Sequence, residues 1–137
     1  LNELLTDDSY SEKIKNDIDW WFFSKIVDRV DDIYIPYTEN AEHKKFYPDF
    51  IFWIKQKNKI LKIVFVDPKG TKHTSSLIKC NGYKKAFEKY NNDNKEIDVK
   101  LFLIQNGNDN IVDGYQDYWL NVDSKNDLMK IFEYLNN

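Results

Sequence analysis

The chain has one cysteine, Cys80, in 137 residues. An intrachain disulfide is therefore excluded, and a lone thiol fits a reducing, cytoplasmic compartment. No stretch approaches the roughly 20 consecutive apolar residues a membrane-spanning helix needs, and neither a signal-peptide pattern nor an internal repeat is present. An excess of positive charge is missing too: 20 Lys and Arg face 23 Asp and Glu, a net charge of −3, which taken alone argues against a polyanion partner. The length suits a single domain, residues 1–137, with a sizeable core. The start at Leu1 rather than Met suggests a domain excised from a larger polypeptide.

The charge that is there is unevenly spread. Residues 55–89 carry ten lysines against Asp67 and Glu88, whereas residues 1–40 carry ten acids against four bases and residues 90–137 nine acids against four lysines. A lysine run is often no more than a solvated face. A basic block between two acidic ones is also the electrostatic footprint of a polyanion site.

Local patterns give a coarse element order. Ser9-x-x-Glu12 resembles a capping box, and Ile14, Ile18, Trp21, Phe22 and Lys25 follow at helical spacing, predicting a first helix that reaches Asp28. Asp32–Tyr37 reads as a strand with Pro36 at an edge or bend, and Thr38–Lys45 as a polar loop. Two strands at about 46–55 and 60–68 form a hairpin around Gln56–Lys59. A second helix over about Leu77–Tyr90 has an apolar stripe of Leu77, Cys80, Tyr83, Phe87 and Tyr90. Gly82 inside it costs roughly 1 kcal/mol relative to Ala, which implies a close packing approach there. Ile97–Ile104 is an interior strand, 106–114 a turn-rich loop, Asp117–Val122 a last strand, and Ser124 the cap of a final helix. The fold class is α/β, a mixed sheet with flanking helices.

Two acids interrupt the hairpin's apolar strands. With the loop centred on Asn58, Asp49 and Asp67 lie directly opposite each other, on one face, with Cβ atoms about 4.5–5.5 Å apart. Lys69 returns to that face because strand side chains alternate. Two such carboxylates raise each other's pKa unless a cation sits between them. Magnesium takes carboxylate and water oxygens and keeps open positions for a substrate phosphate, and the backbone carbonyl of Pro68 is a further candidate ligand. Lys69 is placed to orient a water or neutralise charge on a phosphoryl oxygen. Each acid alone is more often a strand terminus than a catalyst. Together, in this register, they point to a metal-dependent site acting on a phosphodiester, drawn in by the lysine block.

Pro48-Asp49 followed by Asp67-Pro68-Lys69 resembles the signature of the PD-(D/E)xK nuclease superfamily, whose core order is helix, three strands, helix, strand. Phe23-Ser-Lys-Ile26, Tyr34-Ile-Pro-Tyr37, Phe46–Trp53 and Phe65–Thr71 are similar to the C-terminal nuclease domain attached to DEAD/DEAH-type helicases, including the restriction subunits of type III-like systems. The resemblance covers roughly residues 20–90. It implies a restriction-endonuclease-like fold with an αβββαβ core and Mg²⁺-dependent DNA cleavage, Mn²⁺ substituting, in a restriction or defence system. It makes Asp49 and Asp67 the metal ligands, Lys69 the catalytic lysine and Asp28 the candidate acid on the first helix. It further implies a helicase or translocase region in the same polypeptide and allows dimerisation for double-strand cleavage. Lys72 and His73 become candidate DNA contacts, His73 being a lesser candidate for a general base. Some branches carry Gln-x-x-x-Tyr on the second helix. Here that spacing gives Lys79 and Tyr83, so the glutamine is absent, and Lys79 and Tyr83 join the candidate DNA contacts. The competing expectation is a nuclease-like fold that binds DNA or a protein without cutting.

Overall fold

The computed structural model describes residues 6–28, 30–58, 60–68, 74–93, 96–105, 114–121 and 124–133. Helix α1 (Asp8–Asp17) leads into strand β1 (Ile18–Lys25), a small hairpin of β2 (Ile35–Glu39) and β3 (Glu42–Phe46), and the strands β4 (Phe50–Gln56) and β5 (Leu61–Asp67). Helix α2 (Thr74–Tyr83) continues through a π-helical segment, Lys84–Glu88, into α3 (Lys89–Asp93). Strand β6 (Ile97–Gln105), a 3₁₀ turn at Gln116–Tyr118, β7 (Trp119–Asn121) and α4 (Lys125–Met129) follow.

The five-stranded sheet has the order β1-β4-β5-β6-β7. Its first three strands are an antiparallel meander, and β6 and β7 add in parallel. The class is thus α/β with a mixed sheet and flanking helices. The β4–β5 turn is centred on Asn58: the Gln56 N–H donates to the Ile60 carbonyl at 2.9 Å, and Asn58 Oδ1 accepts from the Ile60 N–H at 3.1 Å.

Alternation along the strands supplies a core to each face. Phe52, Ile54, Val64, Val66 and Phe102 pack under Ile14 of α1 and under Met129, Ile131 and Phe132 at the C-terminal end. Ile51, Phe65, Val99, Leu101 and Leu103 pack on the other face under Cys80 and Tyr83 of α2, with Ile35 and Phe46 of the small hairpin. Cys80 is fully buried, as a small core residue would be. Ser124 caps α4, its side chain accepting from the Asp127 N–H.

Three sequence expectations fail. The first helix stops at Asp17 instead of running to Asp28, and Ile18–Lys25 is a strand. Its cap is Asp7, which accepts from the Ser9 N–H at 3.2 Å, in place of a Ser9 capping box. The polar stretch Thr38–Lys45 is the end of β2, the turn and most of β3 in a hairpin, turning at Asn40 and Ala41, both with positive φ. The close approach at Gly82 is present: a Cβ there would sit 2.5 Å from the Pro36 carbonyl oxygen and from the Tyr37 Cβ. The final helix ends at Met129. Residues 106–113, expected as loop, lie outside the described residues.

Candidate active site

β4 begins directly after Pro48-Asp49, and β5 ends on Asp67. The β4–β5 ladder pairs Phe50 with Val66, Ile51 with Phe65 and Phe52 with Val64, and one further step sets Asp49 opposite Asp67. The two residues touch: the Asp49 N–H donates to Asp67 Oδ1 at 3.3 Å. The end of β1 holds the same corner, because the Ile26 N–H just beyond it donates to the Asp49 carbonyl at 2.8 Å. By alternation both acids share the face of Ile51 and Phe65, the face covered by α2 and the small hairpin.

Burial differs between them. Asp67 is 1% exposed, Asp49 is half-buried, and the intervening Pro48 is buried. Across the parallel ladder Asp67 stands beside Leu103, at the carboxyl end of the β5–β6 pair, the end at which open α/β sheets hold their ligands. Pro68 follows, exposed. Oxygen donors such as carboxylates and backbone carbonyls suit a hard divalent cation better than zinc or copper.

The remaining candidates divide. Lys79 is half-buried on α2 with its Nζ 4.5 Å from the centre of the Phe46 ring. That ring belongs to the strand end three residues before Asp49. Tyr83 is 5% exposed, its hydroxyl donates to the Val99 carbonyl at 2.5 Å, and burial raises its pKa. Asp28 is corrected in placement: it stands exposed in the turn after β1, not on a helix. Among the described residues no three His, Cys, Asp or Glu side chains gather at one point. Lys69, Lys72 and His73 lie outside the described residues.

The described lysines of the block do not form one surface. Lys62 is fully buried and binds backbone carbonyls of the C-terminal segment. Lys84 lies over the rings of Tyr115 and Tyr118, at 5.0 and 5.6 Å. Lys57 is at the hairpin turn, the far end of the strands from Asp49 and Asp67. Cavities of about 550 and 590 Å³ open elsewhere. The first lies between α1 and the hairpin turn, the second beside Asp98 and Lys100 on β6, and neither is lined by the paired acids. Burial raises the Asp98 pKa there, with Lys62 and Lys100 opposing.

No curated protein and no solved structure gives a significant match to the sequence. The model of the YagJ family matches residues 1–133, nearly the whole chain, and the chain belongs to that family.

Proposed function

We propose that this chain is a divalent-metal-dependent phosphodiesterase that cleaves DNA, with Asp49 and Asp67 as its metal-holding carboxylates. The observation that carries the reading is the hydrogen bond from the Asp49 backbone N–H to the Asp67 carboxylate, which joins two acids 18 residues apart in sequence at one end of the sheet with Asp67 buried. A buried carboxylate with a second acid at the opposite strand position favours a bound cation, which offsets the cost of holding negative charge there. The element order adds support: apart from the β2–β3 hairpin, the chain reads helix, three strands, helix, strand. That is the order of the PD-(D/E)xK core, whose motif Pro48-Asp49 and Asp67-Pro68-Lys69 resemble.

A magnesium ion bound here would supply Lewis acidity to a phosphoryl oxygen and a lowered pKa to a bound water. The chain's own residues do the positioning. Asp67 is the rigid ligand, fixed by β5 and by the Asp49 N–H. Asp49, tied to β1 through Ile26, closes the other side, and the Pro68 carbonyl is the third oxygen. Lys69 is the candidate cation for the charge that develops as the water oxygen bonds to phosphorus and the ester oxygen leaves. Lys79 is the candidate phosphate contact on α2. A helicase or translocase region of the same polypeptide would deliver the DNA.

The test is cleavage of supercoiled plasmid in Mg²⁺ or Mn²⁺ by the native chain, Asp49→Ala, Asp67→Ala and Lys69→Ala. Loss of a metal ligand removes several kcal/mol of transition-state stabilisation, so each acid variant is expected to lose about a hundredfold or more in rate. Equal cutting by all four would overturn the assignment.

A further inference from the structure

Strand β1 is one edge of the five-stranded sheet, and it is an unusual edge. Natural edge strands are kept short, charged or interrupted by proline, because their free backbone groups template pairing with another chain. The opposite edge, β7, is three residues long. β1 is eight residues long, contains neither Pro nor Gly, and carries four consecutive aromatics, Trp20–Phe23. Trp20, Phe22 and Phe23 are 47%, 51% and 46% exposed.

The backbone of β1 is ordered for pairing on its outer side. The Ile26 N–H bonds to the carbonyl of Asp49, just before β4, so by alternation residues 24 and 22 direct their backbone groups at β4, while those of Trp21, Phe23 and Lys25 point outward. An antiparallel partner strand must match outward residues with outward residues. A second copy of β1 does so with Phe22 on the twofold axis, setting Trp21 against the partner's Phe23 in two hydrogen-bonded pairs. The same register sets Lys25 of each copy against Asp19 of the other, at the two ends of the ladder, where both side chains are exposed. Asp19 lies where the β1–β4 ladder slips by one residue, so regular alternation ends at Trp20 and the match of Asp19 with Lys25 is one of position at the rim of the pairing.

The side chains are self-complementary on both faces. Phe22 stacks on Trp53 at 4.8 Å and on Trp20 at 5.7 Å. Two Phe22 rings meeting at the axis would join the stacks of both copies. On the other face Trp21 and Phe23 stack with Phe52, at 6.4 and 5.2 Å, and would meet their counterparts diagonally. We propose that two copies of this chain associate through antiparallel pairing of their β1 strands about Phe22, joining their sheets into one continuous sheet. The proposal does not depend on the nuclease reading.

Sedimentation velocity of the full chain over a concentration series tests it, with Lys25→Glu, Asp19→Lys and the double exchange. The native chain is expected to dimerise. Either single exchange opposes like charges at both ends of the ladder and weakens the dimer by at least about tenfold in Kd. The double exchange restores pairing. Hydrogen exchange supplies a second readout: the Trp21, Phe23 and Lys25 amides are protected in the native dimer and unprotected in Lys25→Glu. A native chain that stays monomeric up to about 1 mM overturns the proposal. So does a dimer indifferent to both single exchanges, which would form through another surface.

Discussion

Lys62 places an ammonium where the sheet meets the C-terminal turn. It donates to the Lys130 carbonyl at 3.0 Å and to the Glu133 carbonyl, while Gln56 Nε2 donates to the Phe132 carbonyl at 3.0 Å. These two buried side chains thus satisfy carbonyls of the turn that follows α4. Burial lowers the Lys62 pKa from its ordinary 10.5 to about 8, Asp98 and Glu133 opposing and Lys100 adding. Between those values the unfolded chain holds a proton that the folded chain has released, so this group makes stability rise with pH from about 8. Cys80 acts in the other direction above its ordinary 9.0, because burial pushes its thiol up to about 12 and the unfolded chain ionises first. Urea midpoints should therefore rise between pH 8 and 9 for the native chain relative to Lys62→Met, in which the rise is absent. Parallel curves would contradict this role. In the sequence Lys62 reads as one of ten lysines in a basic block. Its function was illegible there because the carbonyls it binds belong to a segment some 70 residues away.

The elements show where periodicity misleads. Ile14, Ile18, Trp21, Phe22 and Lys25 fit a helical stripe, yet the chain leaves the helix at Asp17. Aromatic side chains lose rotamer freedom in a helix and pack well on a pleated surface. A run of four at 20–23 can use both faces of a strand, Trp20 and Phe22 beside Trp53, Trp21 and Phe23 beside Phe52. Apolar residues on every side mark a strand that is paired on both faces, and the spacing rule counts only one. Gly82 is the converse case, an expectation the packing explains. Ala would be preferred in a helix by about 1 kcal/mol, but its Cβ would meet Pro36 and Tyr37 at 2.5 Å. Steric crowding of that kind costs about 1–3 kcal/mol. Gly82→Ala is thus expected to lower stability by up to about 2 kcal/mol net, measured by chemical denaturation. A raised midpoint would mean that α2 does not seat against β2 as closely as described.

For the whole molecule, the sheet's position between two helical layers brings together what the sequence keeps apart. The hairpin turn at Asn58 fixes the β4–β5 register, and that register alone carries Asp49 to Asp67. This much was legible, since strand alternation and loop centre are local properties. The places of Asp28 and Tyr83 were not: the aromatic run replaces the expected helix before Asp28 with a strand, and Tyr83 lies on the α2 face that packs inward against Val99. A helical stripe identifies a buried face without saying whether a polar residue on it meets a ligand or the core. The central claim is that Asp49 and Asp67 together hold a divalent cation, and its most direct measurement is calorimetric titration of Mn²⁺ into the native chain, Asp49→Asn and Asp67→Asn. Each variant's fold would be checked by circular dichroism. Saturable uptake by the native chain that is lost in both variants is the predicted result. No uptake by the native chain, or equal uptake by all three, would contradict it.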